Sequence, residues 1–221
     1  MFRPGISQFA CEMCGNSDVL LLRHPDFLTP NECRLIRQGM DRGAVEAAEV
    51  LEGGARQDSC VRNASLVEPP GPFIHLVETR LEACRRLIGT SLQLALGERE
   101  GPGFVRYPDG GYFRTHRDHG RDPAWPGAER RAVSMVIFLN SSDRVRDGDF
   151  DGGVLRLFQP DGDVEVVPEA GLLVAFPSDV PHEVTEVIGG TRDSIVDWFY
   201  FGSAEESSRA TPIPREIGIR R

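Results

Sequence analysis

Hydrophobic and polar positions follow two different rhythms along this chain. In the first half the apolar residues recur at helical spacing. Asp26-Phe27-Leu28-Thr29-Pro30-Asn31-Glu32 offers an N-cap at Thr29, a Pro at the first helical position and a Glu three residues after the cap. Together these form a capping box and predict a helix from about Pro30 to Met40, placed to buttress a sheet. A second helical pattern runs from Phe73 to Leu96, with Ile74, Val77, Leu81, Cys84, Leu87 and Ile88 on one stripe, after the break at Pro69-Pro70-Gly71-Pro72. His75 on that helix reads as a surface histidine. Val19–Arg23 and Cys60–Val67 predict short strands, and the Gly- and Ala-rich stretch 41–60 predicts no definite element.

From Gly103 the rhythm becomes short alternating runs bounded by turn residues. Strands are expected at Gly103–Tyr107, Tyr112–Asp118, Ala132–Asn140, Gly153–Phe158, Val164–Val167, Leu172–Phe176, His182–Ile188 and Arg192–Phe201. Helices first and strands later predict a mainly β fold, a double-stranded β-helix (jelly roll) with N-terminal buttressing helices. The expected organisation is an N-terminal extension over 1–19, one domain over 20–202 and a polar C-terminal tail over 203–221. No internal repeat is evident.

Composition narrows the function. The chain has 221 residues, 40% hydrophobic and 27% charged, enough to bury a proper core. A formal net charge of −9 argues against nucleic acid and against anionic membrane surfaces as partners. Every basic residue is Arg, so Schiff-base and P-loop lysines are excluded, and any anionic ligand must be held by a guanidinium. No apolar run reaches membrane-span length, and Met1–Ala10 lacks signal-peptide layout. The odd count of five Cys without framework spacing predicts reduced thiols and a cytoplasmic protein. Cys11-x-x-Cys14 reads as half a zinc site, which would suit a zinc-linked interaction protein, as a redox pair, or as two thiols of the extension.

The chemistry centres on Tyr107-Pro-Asp-Gly-Gly-Tyr-Phe-Arg-Thr-His116-Arg-Asp118. On a strand, residues two apart share a face, so His116 and Asp118 would enter one cavity. A second imidazole, His182, begins a later strand, and a jelly roll brings its first and last strands together. Two His and one carboxylate on one face of an octahedral ion form the facial triad of non-haem Fe(II) oxygenases. Gly189-Gly190-Thr191 predicts a three-residue hairpin loop. Val196, Trp198 and Tyr200 are apolar or aromatic while Asp193 and Asp197 are charged, so the even face, with Arg192 and Ser194, should point inward. A buried Arg192 needs an anion: either Glu186 on the neighbouring strand or the carboxylate of a bound acid. His119 should face away from the metal. Gly120 to Arg131 is a candidate lid.

These segments resemble the prolyl-4-hydroxylase-like Fe(II)/2-oxoglutarate dioxygenases. The likeness runs over about 20–202 and lies in the Tyr, Gly-Gly and H-x-D hairpin, in Gly152-Gly153-Val-Leu155, in the approach to His182-Glu-Val and in Gly190-Thr-Arg192-Asp-Ser194. Arg192 stands where the animal collagen enzymes carry Lys, which argues against a collagen-type enzyme. The resemblance implies Fe(II) on His116, Asp118 and His182, and 2-oxoglutarate with its far carboxylate on Arg192, Ser194 and Tyr107. O2 would be the cosubstrate and ascorbate a supporting reductant. Presence of Asp118 favours hydroxylation over halogenation. Arg62, Arg114, Trp125 and Trp198 are candidates to line the substrate pocket. The primary substrate would be a small molecule or amino acid, or a peptidyl proline, with a small substrate preferred because no accessory peptide-binding domain is evident. The alternative is a cupin-like, metal-containing jelly roll that binds a ligand without oxidising it.

Overall fold

The computed structural model describes residues 20–48, 60–121, 126–143 and 148–202. The first half supplies β1 (Leu22–His24), α1 (Pro30–Met40), β2 (Ala44–Ala47), β3 (Arg62–Asn63), β4 (Ser65–Glu68) and α2 (Gly71–Leu92). Then follow β5 (Leu96–Arg99), β6 (Gly103–Tyr107), β7 (Tyr112–His116) and β8 (Arg131–Phe138). The remaining strands are β9 (Asp151–Gly152), β10 (Leu155–Leu157), β11 (Val164–Val166), β12 (Leu173–Pro177), β13 (His182–Val184), β14 (Val187–Ile188) and β15 (Arg192–Phe201).

The larger sheet has the order β1-β12-β8-β15-β6-β4-β2, with β5 also on β15; the smaller has the order β11-β10-β13-β7-β3. The pairs of both sheets are antiparallel. This is the expected mainly β jelly roll with two buttressing helices.

Residue parity sorts the larger sheet. Val133, Met135 and Ile137 of β8, Leu173 and Ala175 of β12, and Ile195 and Phe199 of β15 pack with Ile36, Met40, Val77, Leu81, Ile88 and Leu92 of the helices. Their even-numbered neighbours Val136, Phe138, Val174 and Phe176 pack with Leu155, Leu157 and Val166 of the smaller sheet. All eight residues of β8 are therefore buried, as a strand covered on both faces must be.

α1 starts as its capping box requires. Glu32 N–H donates to Thr29 Oγ1 at 3.3 Å, and Thr29 N–H donates to Glu32 Oε2 at 2.8 Å. Glu32 also takes Arg80 of α2 at 2.5 Å, which ties the two helices together.

Four expectations need correction. α2 stops at Leu92, because Gln93 takes a left-handed conformation (φ 56°), and Leu96, the last residue of the anticipated helix, starts β5 instead. The stretch 41–60 does contain an element, β2, at the edge of the larger sheet. His182–Ile188 is two strands rather than one: β13 pairs with β7 and β10, whereas β14 pairs with β9. The three-residue loop Gly189–Thr191 is present, but it is not a hairpin; it carries the chain from β14 into the larger sheet.

Among the described residues no helix is long and apolar enough to cross a membrane. Cys33, Cys60 and Cys84 are free thiols, and burial pushes the Cys33 thiol up to about 11. Cys11 and Cys14 lie outside the described residues. His75 is exposed, as expected of a surface histidine.

Candidate active site

Between the two sheets lies a cavity of about 850 Å³, lined by Tyr107, Phe113, His116, Asp118, Val136, His182, Val184, Arg192, Ser194 and Trp198, among others. β7 and β13 bring two of the imidazoles together, with His116 directly opposite His182 in the register. Their ring centroids are 4.2 Å apart. Asp118 completes the group, with Oδ1 3.5 Å from His116 Nε2 and Oδ2 3.5 Å from His182 Nε2. The three ligand atoms all lie within 4.8 Å of one another, a cluster that could hold a metal ion.

The tautomers suit that use. His116 Nδ1 lies 2.9 Å from the Arg114 carbonyl, and His182 Nδ1 lies 2.9 Å from the Val180 carbonyl. Donation from Nδ1 leaves each Nε2 lone pair free for a cation. Burial, then the neighbouring His116, pushes His182 down to about 4, so it is neutral at physiological pH. Burial opposes ionisation of Asp118, but His182, His116 and Arg131 outweigh it and hold the carboxyl well below its usual range. The donor set is two imidazoles, each with Nε2 toward the cluster, and one carboxylate, which fits Fe(II).

Asp118 reaches the cluster by a different route from the strand alternation expected. β7 ends at His116, and Asp118 sits in the bend beyond it. Its backbone N–H donates to the Ser178 carbonyl at 3.1 Å, and its Oδ2 accepts from Ser134 Oγ at 2.7 Å. His119 faces away, with Nδ1 3.1 Å from the Arg131 carbonyl.

Arg192 is 1% exposed and lies on the even face with Ser194, as the alternation of β15 requires. Its Nη1 donates to Ser194 Oγ at 3.1 Å, and its Cζ lies 4.9 Å from the centre of the Tyr107 ring. Nε is buried without a hydrogen-bond partner. Among the described residues no acid pairs with this guanidinium; Glu186 is exposed. Burial pulls its pKa down. A buried cation left open toward a cavity is the arrangement a bound carboxylate would complete. Gly153 makes room for it, because a Cβ there would stand 2.8 Å from Arg192 Cδ.

Of the proposed substrate residues, Arg62 and Trp198 line the cavity. Trp198 Nε1 is buried without a partner, and Arg131 stacks over the indole at 3.7 Å. Arg114 does not line it. Between Phe113 and His116 the strand β7 uses three steps where β13 uses two, from Val184 to His182. This bulge shifts the parity, so Phe113 joins His116 on the inner side, while Arg114 is exposed and stacks on Tyr112 at 4.2 Å. Trp125 lies outside the described residues, as does most of the apex of the candidate lid; Ala128–Arg130 forms a short 3-10 helix.

Comparison with known proteins decides the family. Residues 102–200 match the model of the 2OG-Fe(II) oxygenase superfamily. A PKHD-type hydroxylase of Xanthomonas campestris is 30% identical over 207 residues, covering 91% of this chain and 88% of that protein. The chain belongs to the 2OG-Fe(II) oxygenase superfamily. A PKHD-type hydroxylase of a Caulobacter species is 26% identical over 211 residues, covering 91% and 87% of the two chains. Among solved structures, a prolyl-4-hydroxylase of Pseudomonas putida matches with a TM-score of 0.64 and 28% identity, over 84% of this chain and 95% of that one. A prolyl hydroxylase of Trichoplax adhaerens shares the fold at TM-score 0.65 with 16% identity, over 88% and 89%. This oxygenase is accordingly a 2-oxoglutarate- and Fe(II)-dependent dioxygenase of the prolyl-4-hydroxylase-like type.

Three groups around the site were not singled out from the sequence. Arg131 grips Glu100 with two hydrogen bonds, at 2.6 and 2.5 Å, beside Trp198. Ser134 and Ser178 stand behind Asp118, with their hydroxyl oxygens 2.9 Å apart. A lone hydroxyl in the otherwise apolar run Ala132-Val-Ser134-Met-Val-Ile-Phe138 was the available signal for the first serine.

Proposed function

We propose that this dioxygenase hydroxylates an unactivated C–H bond of a prolyl residue, free or within a peptide, with release of succinate and CO2. His116, Asp118 and His182 hold Fe(II), while Arg192, Ser194 and Tyr107 hold the far carboxylate of 2-oxoglutarate. The observation that carries this reading is the buried Arg192, which has no acid partner among the described residues and lines the same cavity as the His-Asp-His cluster. A metal binder without a dicarboxylate cosubstrate has no use for that guanidinium, and leaving it unpaired costs stability. The prolyl substrate is carried over from the Pseudomonas relative, described as a prolyl-4-hydroxylase.

When bound, Fe(II) and 2-oxoglutarate would supply oxygen activation, with O2 as the oxidant and 2-oxoglutarate giving two electrons as it is converted to succinate and CO2. The chain's own groups bind and orient. The two Nε2 atoms and the Asp118 carboxylate present three donors within 4.8 Å of one another. The guanidinium fork and the Ser194 hydroxyl fix the cosubstrate's length and direction. Val136, Leu155 and Val184 form apolar walls that limit water. The Trp198 N–H, buried and unpartnered, offers a donor to a substrate carbonyl or carboxylate, and the Arg131–Glu100 pair holds the indole in place.

The test is succinate formation under aerobic Fe(II) conditions with prolyl peptides, free proline and other amino acids. Substrate-stimulated succinate, matched by hydroxylated product and abolished in His116→Ala, is the expected result. Failure of every prolyl compound while another amino acid stimulates turnover would overturn the substrate, and 2-oxoglutarate left unconsumed by the iron-loaded protein under all conditions would overturn the reaction.

A further inference from the structure

We infer that Ser134 is a positioning residue that keeps Asp118 a one-oxygen metal ligand, so that a coordination position stays open for the cosubstrate. The inference rests on the ligand set proposed above. Ser134 is 1% exposed in the middle of β8, and its cross-strand neighbours are Phe176 and Trp198. A hydroxyl in such surroundings is costly unless it is hydrogen-bonded. Its oxygen lies 2.7 Å from Asp118 Oδ2 and 2.9 Å from Ser178 Oγ. A serine has one proton to give. The carboxylate can only accept, so the Ser134 proton goes to Oδ2 and Ser178 donates to Ser134. The bond to Asp118 is charge-assisted and short, the stronger class of hydrogen bond.

Ser178 is itself buried, and its carbonyl accepts the N–H groups of Asp118 at 3.1 Å and His119 at 2.9 Å. The backbone of the Asp118 bend and one oxygen of its side chain are thus tied to the same two serines. Both oxygens border the ligand cluster, Oδ1 3.5 Å from His116 Nε2 and Oδ2 3.5 Å from His182 Nε2, and the Ser134 hydrogen bond falls on Oδ2.

This matters because a carboxylate can bind a cation through one oxygen or two. Three protein donors on a six-coordinate ion leave three positions. A 2-oxo acid cosubstrate and O2 would together need these open positions. A carboxylate that turned to use both oxygens would take one of these. The proton held on Oδ2 makes that oxygen the poorer donor and prevents the turn.

The experiment compares wild type with Ser134→Ala by anaerobic titration, first with Fe(II), then with 2-oxoglutarate, following the visible charge-transfer absorption of a chelated 2-oxo acid on ferrous iron. Loss of a hydrogen bond to a metal ligand changes site properties by about 10- to 100-fold. The expected result is one Fe(II) per chain in both proteins, with 2-oxoglutarate bound about 10-fold more weakly in the variant and its absorption shifted or reduced. An unchanged band and affinity overturns the inference, and so does complete loss of Fe(II) binding, which would make Ser134 a support of the ligand set rather than of its open position. If Ser134→Ala does not fold, Ser178→Ala removes only the hydroxyl that orients Ser134; weaker 2-oxoglutarate binding supports the inference and an unchanged value overturns it. A wild-type chain that takes up no Fe(II) overturns the ligand set itself, and this inference with it.

Discussion

Replacing Arg192 with Met removes a charge from the interior while keeping a long apolar stem. In the protein without cosubstrate, the guanidinium has one hydrogen bond to Ser194 at 3.1 Å, an interaction with Tyr107 and two aromatic faces, with Tyr107 at 4.9 Å and Phe138 at 5.2 Å. A cation over a ring is worth about 0.5–2 kcal/mol. Against that stands an effective desolvation penalty of several kcal/mol for a buried ion. The two nearly cancel or favour Met, so Arg192→Met should leave the metal-free protein as stable as wild type or slightly more so. For a chain of this size each kcal/mol moves Tm by about 2–4 °C. Cosubstrate binding should move the other way. Removing one partner of a buried, hydrogen-bonded charge pair costs about 2–5 kcal/mol. At about 1.4 kcal/mol per decade that is a roughly 30- to 4,000-fold rise in Kd for 2-oxoglutarate. Thermal unfolding of the metal-free protein and anaerobic calorimetry of the Fe(II)-loaded protein measure the two effects. A Kd within about threefold of wild type would remove Arg192 from the cosubstrate site. A fall in Tm beyond about 6 °C, or roughly 2 kcal/mol, would show that the guanidinium is a structural cation.

Asp193→Ala should do the reverse of Arg192→Met. Asp193 is fully buried, 2.9 Å from Arg37 Nε and 2.7 Å from Arg106 Nε, so its loss should cost about 3 kcal/mol, less what the half-exposed arginines recover from water. The urea midpoint checks this, and a cost under about 1 kcal/mol would mean that the network stabilises nothing. Thr29→Ala breaks the capping box at the start of α1 and should cost about 1 kcal/mol, with 2-oxoglutarate affinity unchanged because Thr29 is not part of the cavity. A change in cosubstrate affinity there would mean that α1 acts on the site.

Much of the fold was legible because its signals are local. The Thr29 box, the β15 alternation and the turn glycines each determine their own neighbourhood, and α1 begins and ends where the sequence placed it. What was illegible depended on pairing. The bulge in β7 exists only against β13, so nothing within Tyr112–His116 announces that Phe113 rather than Arg114 will face inward. The ends of β13 and β14 depend on which sheet each joins, and the unanticipated strand Leu96–Arg99 depends on the edge offered by β15. The roles of Ser134 and Ser178 are set by an approach across 44 residues of chain.

The charged odd positions of β15 carry a wider lesson. Asp193 and Asp197 read as a solvent-facing stripe, and that contrast correctly turned Arg192 and Ser194 toward the cavity. Yet both aspartates are buried, at 0% and 1% exposure, under the helices. They are tolerated because each is paired: Asp193 with Arg37 and Arg106, Asp197 with Arg99 and with the N–H groups of Gly101 and Trp198. The same strand therefore holds two kinds of buried charge. On the helix side each charge has its partner within the fold, although burial still pushes the Asp197 carboxyl up. On the cavity side Arg192 has none among the described residues, and its burial costs free energy that a bound acid would offset. That contrast between sequence neighbours, one residue apart on the same backbone, is what supports the proposed role of Arg192 in holding a ligand carboxylate.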